Sequence, residues 1–301
     1  MSRARRFLRT LLPRQARPAG ACGRPLDVHD IATLPRDDLE EACRNLASPV
    51  YLGGGVALCR ILGRYKFYVS TRDDGFGANV LVDGYWESWL TRFMARTVGR
   101  GANVVDVGAN YGYYSLLLAD LVGPDGHLHA VEPNPAAAAL LRRSIGLNGF
   151  AARTTLCEVA LGAADGTATL FVPEREPKNA AIVADAASPP TAGERRSVPV
   201  RTLDGLVGTE RRIDFIKIDA EGGEEAIIAG MSAIFAVQRP PMVLEFNAAR
   251  YADPDAFLQR LLSIYGSLRH VDYDGQAVAV SPERVLTEHF GEDWLLFLSR
   301  R

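Results

Sequence analysis

Two charged residues stand where a folded chain hides apolar ones. Residues 213–219 (IDFIKID) read as a central strand of a parallel sheet, which should be almost wholly apolar. Lys217 and Asp219 break that rule on one face, since strand side chains alternate with a period of two. A lysine there must be paired or neutralised, because a lone buried charge is very costly. Asp219 ends the strand, at the edge where open α/β sheets bind ligands. Glu221 follows in the turn, Glu224 falls where an acid suits the next helix's dipole, and Glu245 ends the neighbouring strand (MVLEF, 242–246). Lys217, Asp219, Glu221 and Glu245 are therefore expected to converge at the mouth of the sheet. Such a group can remove a proton, with Asp219 the first candidate base and Lys217 tuning it. A neutral Lys217 is a second candidate, because burial lowers a lysine pKa. Three such carboxylates could hold a hard cation or hydrogen-bond a polyhydroxy substrate; no metal is expected. The alternative without function is an ion pair of Lys217 with Asp219 or Glu245 that orders two strands, although buried pairs are weak stabilisers.

The elements that position these groups begin at residues 104–112 (VVDVGANYG). Val104 to Val107 suit a strand buried on both faces, and Gly108 and Gly112 allow a sharp turn and a close approach to a ligand. Residues 113–122 (YYSLLLADLV) supply the helix, and GPDG at 123–126 stops it. The next strand, 127–131, runs into Glu132, placed to accept hydrogen bonds from ribose hydroxyls. A dinucleotide fold wants G-x-G-x-x-G to cradle a pyrophosphate; here Asn110 fills the middle position and would crowd it. A cofactor with a ribose and no phosphate fits better, and S-adenosylmethionine (SAM) is the obvious one. An NAD-dependent oxidoreductase and a cofactor-binding interaction module without catalysis are the alternatives.

The 301 residues can bury a sizeable core, and 48% hydrophobic with 23% charged content describes an ordinary globular chain. A net charge of −2 gives no overall pull towards nucleic acid or anionic membrane. Cys22, Cys43, Cys59 and Cys157 are scattered, with no CxxC pair, which fits a reducing cytoplasm. No apolar run approaches the roughly 18 residues of a membrane span. His127 and His129 read as structural, and His29, His270 and His289 lie away from the motifs.

Three regions are expected. Residues 1–25, with six arginines in the first 20 and no acid among those 20, form a flexible basic arm. Residues 26–100 form an α+β lead-in, with a helix at 37–46, strands at 66–69 and 80–82 around a turn at 73–75, and an amphipathic helix at 86–98. Residues 101–301 form the cofactor domain, α/β and doubly wound with a mostly parallel sheet. After Glu132 come a helix at 134–147 capped by Asn134, strands at 154–159 and 167–172, a capped short helix at 202–206, a helix from 222 to about 235, and a helix at 255–265. Strands at 268–272 and 294–299 close the edge as an antiparallel pair. Residues 173–196 lack periodicity and contain four prolines, and read as a lid or substrate loop.

The chain resembles the FkbM-type family of SAM-dependent methyltransferases. VVDVGANYGYYS (104–115), Glu132-Pro133, VPVRTLDGL (198–206), IDFIKIDAEGGEE (213–225) and MVLEF (242–246) occur in that family's order, and Trp86-Glu87 matches ahead of them. The resemblance covers about residues 84–250 and implies a class I methyltransferase (Rossmann-like) fold and methyl transfer to an oxygen. It implies that Asp106, Gly108, Asn110 and Gly112 surround the methionine part of SAM, that Glu132 holds the ribose, and that Glu158 and Val159 flank the adenine. Asp219 and Glu221 would face the methyl group and acceptor, Lys217 completes the catalytic set, and Glu87 and Glu245 would meet the substrate. The acceptor is expected to be a hydroxyl of a small molecule or sugar, and its identity does not carry over from the resemblance. A base-modifying N-methyltransferase is disfavoured, since the turn after the strand is Asp219-Ala220-Glu221-Gly222 and an acidic mouth repels a phosphate backbone.

Overall fold

The computed structural model describes residues 24–184 and 191–300. The basic arm, except its last two residues, and Cys22 lie outside them. The lead-in starts with two short helices, α1 (Val28–Thr33) and α2 (Arg36–Leu46), followed by strands β1 (Val50–Gly53), β2 (Val56–Ile61) and β3 (Tyr65–Ser70) in an antiparallel sheet. Helices α3 (Phe76–Asp83) and α4 (Ser88–Thr97) lead into the main sheet. The hairpin expected around 73–75 is displaced. The partner of β3 is β2, through a turn at Leu62–Arg64, and 80–82 belong to α3. Phe76 and Val80 lie four residues apart and are both buried, which is helical spacing, and Gly84 closes the helix at φ 70°.

The main sheet has eight strands: β4 (Asn103–Val107), β5 (His127–Val131), β6 (Thr154–Cys157), β11 (Phe215–Ile218), β12 (Met242–Phe246), β13 (Arg269–Val271), β14 (Ala277–Ala279) and β15 (Trp294–Leu298). The other four strands, β7 (Ala160–Leu161), β8 (Gly166–Pro173), β9 (Ala181–Val183) and β10 (Gly193–Arg201), form a separate sheet. The main order is β14-β13-β15-β12-β11-β4-β5-β6. β6, β5, β4, β11 and β12 are parallel, while β15 runs antiparallel to both β12 and β13. Helix α5 (Tyr113–Val122) follows β4 and α6 (Pro135–Leu147) follows β5; Asn134 caps α6 by accepting from the Ala136 amide. This is the doubly wound, mostly parallel sheet of class I methyltransferases, with the antiparallel edge the sequence led one to expect. The chain order reverses direction at β4, the switch point where such sheets bind ligands. Apolar side chains of the lead-in (Leu26, Ile31, Phe67, Phe76) and of the main sheet (Val104, Leu128, Val243) belong to one continuous core.

Residues 173–196 hold more structure than a loop. β8 reaches Pro173, a single turn spans Pro177–Asn179, and β9 and the start of β10 follow; 185–190 lie outside the described residues. Helix α7 (Leu203–Val207) is capped by Thr202. The helix expected from 222 to 235 is two, α8 (Glu224–Ala229) and α9 (Ser232–Val237). They part at Gly230, where a Cβ would stand 2.1 Å from the Gly162 carbonyl oxygen. Helix α10 (Pro254–Tyr265) and helix α11 (Pro282–Thr287) complete the chain.

Candidate active site

A cavity of about 280 Å³ opens over the C-terminal ends of β12, β11, β4, β5 and β6. Its β5 side is built by the turn after β4. Gly108 and Gly112 have φ 72° and 99°, so the expected turn is present. The close approaches they allow are to the chain itself. A Cβ on Gly108 would lie 1.7 Å from the Asp219 carbonyl oxygen, and one on Gly112 would lie 2.2 Å from Leu141 Cδ1. Between them Asn110, also left-handed at φ 50°, donates its amide N–H to Glu132 Oε2 at 2.7 Å. Glu132 Oε1 accepts the Asn134 amide at 2.8 Å. Each carboxylate oxygen thus keeps one lone pair for a ligand hydroxyl, and Glu132 lines the cavity. The Asn110 amide, spent on Glu132, has nothing left for a pyrophosphate. Burial pushes the Glu132 carboxyl up to about 7 against the pull of these two amides.

The β11 side holds the charges. Register sets Lys217 directly beside Asp106 of β4. Lys217 Nζ lies 3.0 Å from Asp219 Oδ2 and 3.9 Å from Asp106 Oδ1. Burial would lower the lysine's pKa, but these two acids raise it instead, so Lys217 stays an ammonium. The neutral-lysine alternative is thereby lost. Burial acts upward on Asp219, and Lys217, aided by a hydrogen bond from Glu245 and by Arg250, outweighs it and holds the carboxyl below the usual range. Arg250 gathers the remaining acids: its guanidinium meets Glu245 at 2.6 Å, Glu221 at 2.9 Å and Asp293 at 3.2 Å. Glu221 is left-handed at φ 52° and is pushed up to about 7 by burial and by Asp219. Burial and the neighbouring Asp219 also push Glu245 upward, against the opposing pull of Arg250. Oxygens of Asp219, Glu221 and Glu245 lie within 4.8 Å of one another; Lys217 and Arg250 already supply the positive charge a cation would bring.

Most of the residues expected at the site line this cavity: Glu87, Gly108, Asn110, Glu132, Val159, Lys217, Asp219, Glu221 and Glu245. Asp106, Gly112 and Glu158 do not. Asp106 is fully buried and accepts from Ser115 Oγ at 2.6 Å, tying α5 to β4 beneath Lys217. Gly112 packs on Leu141, and Glu158 pairs with Arg142 at the surface. Sequence reasoning missed the roles of Tyr114, which lies within the 104–115 block, and of Arg250 and Asp293, which lie in separate segments outside every motif. Glu224 stands in the first turn of α8, as expected, and does more there than meet the helix dipole. That side chain is buried, accepts the Ala220 amide at 2.8 Å and the Tyr251 hydroxyl at 2.7 Å, and so fixes the turn that carries Glu221. An acid directly after the Gly222-Gly223 pair was the available signal.

The family model for the methyltransferase FkbM domain matches residues 106–274. The chain belongs to this family. A protein-L-isoaspartate O-methyltransferase of Aeropyrum pernix is 37% identical over 112 residues, 35% of this chain and 40% of that protein. The corresponding enzyme of Ignicoccus hospitalis is 36% identical over 56 residues, 19% of this chain and 26% of that protein. The chain thus spans less than half of these relatives. Among solved structures, methyltransferase FkbM from Methylobacillus flagellatus KT is 18% identical with a TM-score of 0.41, covering 76% of this chain and 56% of that one. The cofactor that this family of methyltransferases indicates is SAM. The site fits that donor: Glu132 has a free lone pair on each oxygen, and Val159, Leu161 and Ile227 give the same cavity an apolar lining. When bound, the donor's sulfonium supplies an electrophilic methyl group.

Proposed function

We propose that this FkbM-family methyltransferase methylates a hydroxyl oxygen of a small molecule or sugar. The observation that carries the reading is the shared cavity. Glu132, shaped for a ribose, and the Lys217–Asp219 pair open into the same space. In-line placement of donor and acceptor is the main task left to the protein. Asp219, kept ionised by Lys217, is ready to accept a hydrogen bond from the acceptor hydroxyl. Glu221 and Glu245, held by Arg250, offer further acceptors to neighbouring hydroxyls, as expected for a polyhydroxy compound. The isoaspartate relatives also methylate oxygen by name, but on this wall a carboxylate acceptor would meet Glu87, Glu132, Asp219, Glu221, Glu245 and Asp293 against three cations, Lys178, Lys217 and Arg250, and as the raised acids ionise above neutral pH the excess of like charge repels it. A phosphate backbone meets the same obstacle. Among the described residues no helix is long and apolar enough to cross a membrane; the proposed setting is the cytoplasm.

The test has two steps. Calorimetry should show binding of SAM and S-adenosylhomocysteine and none of NAD. Release of S-adenosylhomocysteine should then be followed across a panel of hydroxyl, carboxylate and amine acceptors. Turnover confined to carboxylates or amines, or NAD binding without SAM binding, would defeat the reading.

A further inference from the structure

Building on that O-methyltransferase reading, we propose that Glu87 takes the proton from the acceptor hydroxyl. Of the acids on the cavity wall, Asp219 is clamped by Lys217 at 3.0 Å, while Glu221, Glu245 and Asp293 are all held by Arg250. Glu132 is committed to two backbone amides. Glu87 differs from all of these. No described residue forms an ion pair with it, and its one hydrogen bond runs from the Tyr114 hydroxyl to Oε2 at 2.5 Å. That bond fixes the side chain and leaves Oε1 without a protein partner on a cavity-lining residue. A carboxylate locked to an ammonium or guanidinium is a weak base, because protonating it strands the cation. Protonating Glu87 strands nothing.

Backbone conformation supports the same assignment. Five described non-glycine residues are left-handed: Leu62, Glu87, Asn110, Glu221 and His289. Three of them, Glu87, Asn110 and Glu221, line the cavity, and such strain concentrates at functional sites. Glu87, at φ 37° and ψ 60°, immediately precedes α4, and the strained link turns its side chain to the cavity. Tyr114 is anchored in turn beneath Lys217, whose Nζ lies 5.0 Å from the Tyr114 ring centroid. The charged and titratable groups facing Glu87 are Tyr113 and Tyr114 of α5, Lys217 of β11, Asp219 just after it, and Asp293 ahead of β15. Burial pushes the Glu87 carboxyl up to about 7, with Asp219 adding to it and Tyr114 and Lys217 opposing. A base poised near the working pH is the most effective one.

The step balances as follows. The hydroxyl oxygen forms its new bond to the methyl carbon while the S–CH₃ bond breaks, and the sulfonium leaves as a neutral thioether with the electron pair. The hydroxyl proton passes to Glu87 Oε1, and the neutral acid returns it to water at the cavity mouth. Glu87→Gln keeps an oxygen for Tyr114 and removes the base. Glu132 and Glu221 also hold protons near neutral pH, so the readout in the S-adenosylhomocysteine complex is the infrared difference between wild type and Glu87→Gln. It should show one protonated-carboxyl band that disappears as pH rises through about 7. This arm needs no acceptor. A Glu87 that is ionised throughout pH 5–9 overturns the proposal, whatever the acceptor screen finds. With the acceptor from that screen, single turnover at saturating SAM should fall by about 10²–10⁴-fold. The rise in rate through neutral pH should vanish, while the dissociation constant for SAM stays within a few-fold. Glu221→Gln should retain that pH limb. Near-normal turnover in Glu87→Gln, a retained limb, or weaker SAM binding with turnover restored at saturation each overturns the assignment. A panel with no methylated acceptor counts against the methyltransferase reading and leaves the infrared result to decide the ionisation of Glu87.

Discussion

Glu132→Gln separates two roles of one carboxyl. Glu132 is only 6% exposed, and its pKa rises from 4.5 to about 7, chiefly through burial. Below pH 4.5 the group is neutral in both folded and unfolded chains and favours neither. Between 4.5 and 7 the unfolded carboxyl ionises while the folded one keeps its proton, so stability falls as pH rises. Above 7 the loss is complete. A difference of about 2.5 in pKa, at about 1.36 kcal/mol each, amounts to about 3 kcal/mol. The glutamine variant lacks that titration but has a cost of its own. Its single oxygen can accept from either the Asn110 or the Asn134 amide, and the other donor then faces an NH₂ group. That mismatch costs about 1–3 kcal/mol at every pH. Urea denaturation from pH 5 to 8 should therefore show the variant less stable at pH 5, with the gap closing or reversing by pH 8. Calorimetry at pH 8 should show SAM affinity reduced by the roughly 1.5–3 kcal/mol of hydrogen bonds to a charged partner, about 10–150-fold. Parallel stability curves would mean that burial does not hold the proton on Glu132, and unchanged affinity would remove it from the ribose site.

Asp219→Asn should destabilise the fold by up to about 3–5 kcal/mol, because Lys217, 3% exposed, is left with Asp106 at 3.9 Å as its nearest acid; urea denaturation within about 0.5 kcal/mol of wild type would contradict the buried pair. Single-turnover transfer by the folded fraction should also drop, since the oriented acceptor for the hydroxyl is gone. Gly108→Ala should cost more than about 4 kcal/mol, since a Cβ 1.7 Å from the Asp219 carbonyl oxygen must push two strand ends apart; the same denaturation assay reads it, and a loss below about 1 kcal/mol would show that the turn relaxes freely. Residues 177–180 and Ile182 line the cavity, and Arg175 just before them pairs with Asp74 at 2.7 Å. Hydrogen exchange there should slow when S-adenosylhomocysteine and acceptor are bound together, and equal exchange in both states would argue against a closing segment.

Much was legible in the primary structure because it is written in local pattern. A run of Val and Ile interrupted at fixed steps by Asp106, Lys217 and Asp219 cannot lie in a two-sided sheet unless those charges find one another. The period of two then places Lys217 and Asp219 on one face. Turn chemistry at Gly108, the position of Glu132 at a strand end and the capping by Asn134 and Thr202 are likewise local, and they stand where expected. What failed was mostly long-range pairing. β3 could be joined to residues after it or before it on equal local grounds, and only packing of Phe76 and Val80 into the core sends 80–82 into a helix. The segment 173–196 shows little period because β9 is short and β10 is exposed on most of its length; its order comes from the neighbouring β8. Gly230 ends α8 because of Gly162, which lies 68 residues earlier in the chain.

The site divides in the same way. Sequence alone determined which strand ends carry acids, that they share one edge of a parallel sheet, and that the cofactor has a ribose. Tertiary structure alone decided how the charges are paired. Arg250 lies beyond β12 and Asp293 ahead of β15, and neither has a motif to announce it, yet they set the charge balance of Glu221 and Glu245. Asp106 is drawn out of the cavity by register with Lys217, and Glu87 is left without an ion pair among the described residues because Lys217, which faces it, is engaged by Asp219. Pairing depends on distances of three or four ångströms between segments far apart in the chain, and sequence spacing does not carry that information.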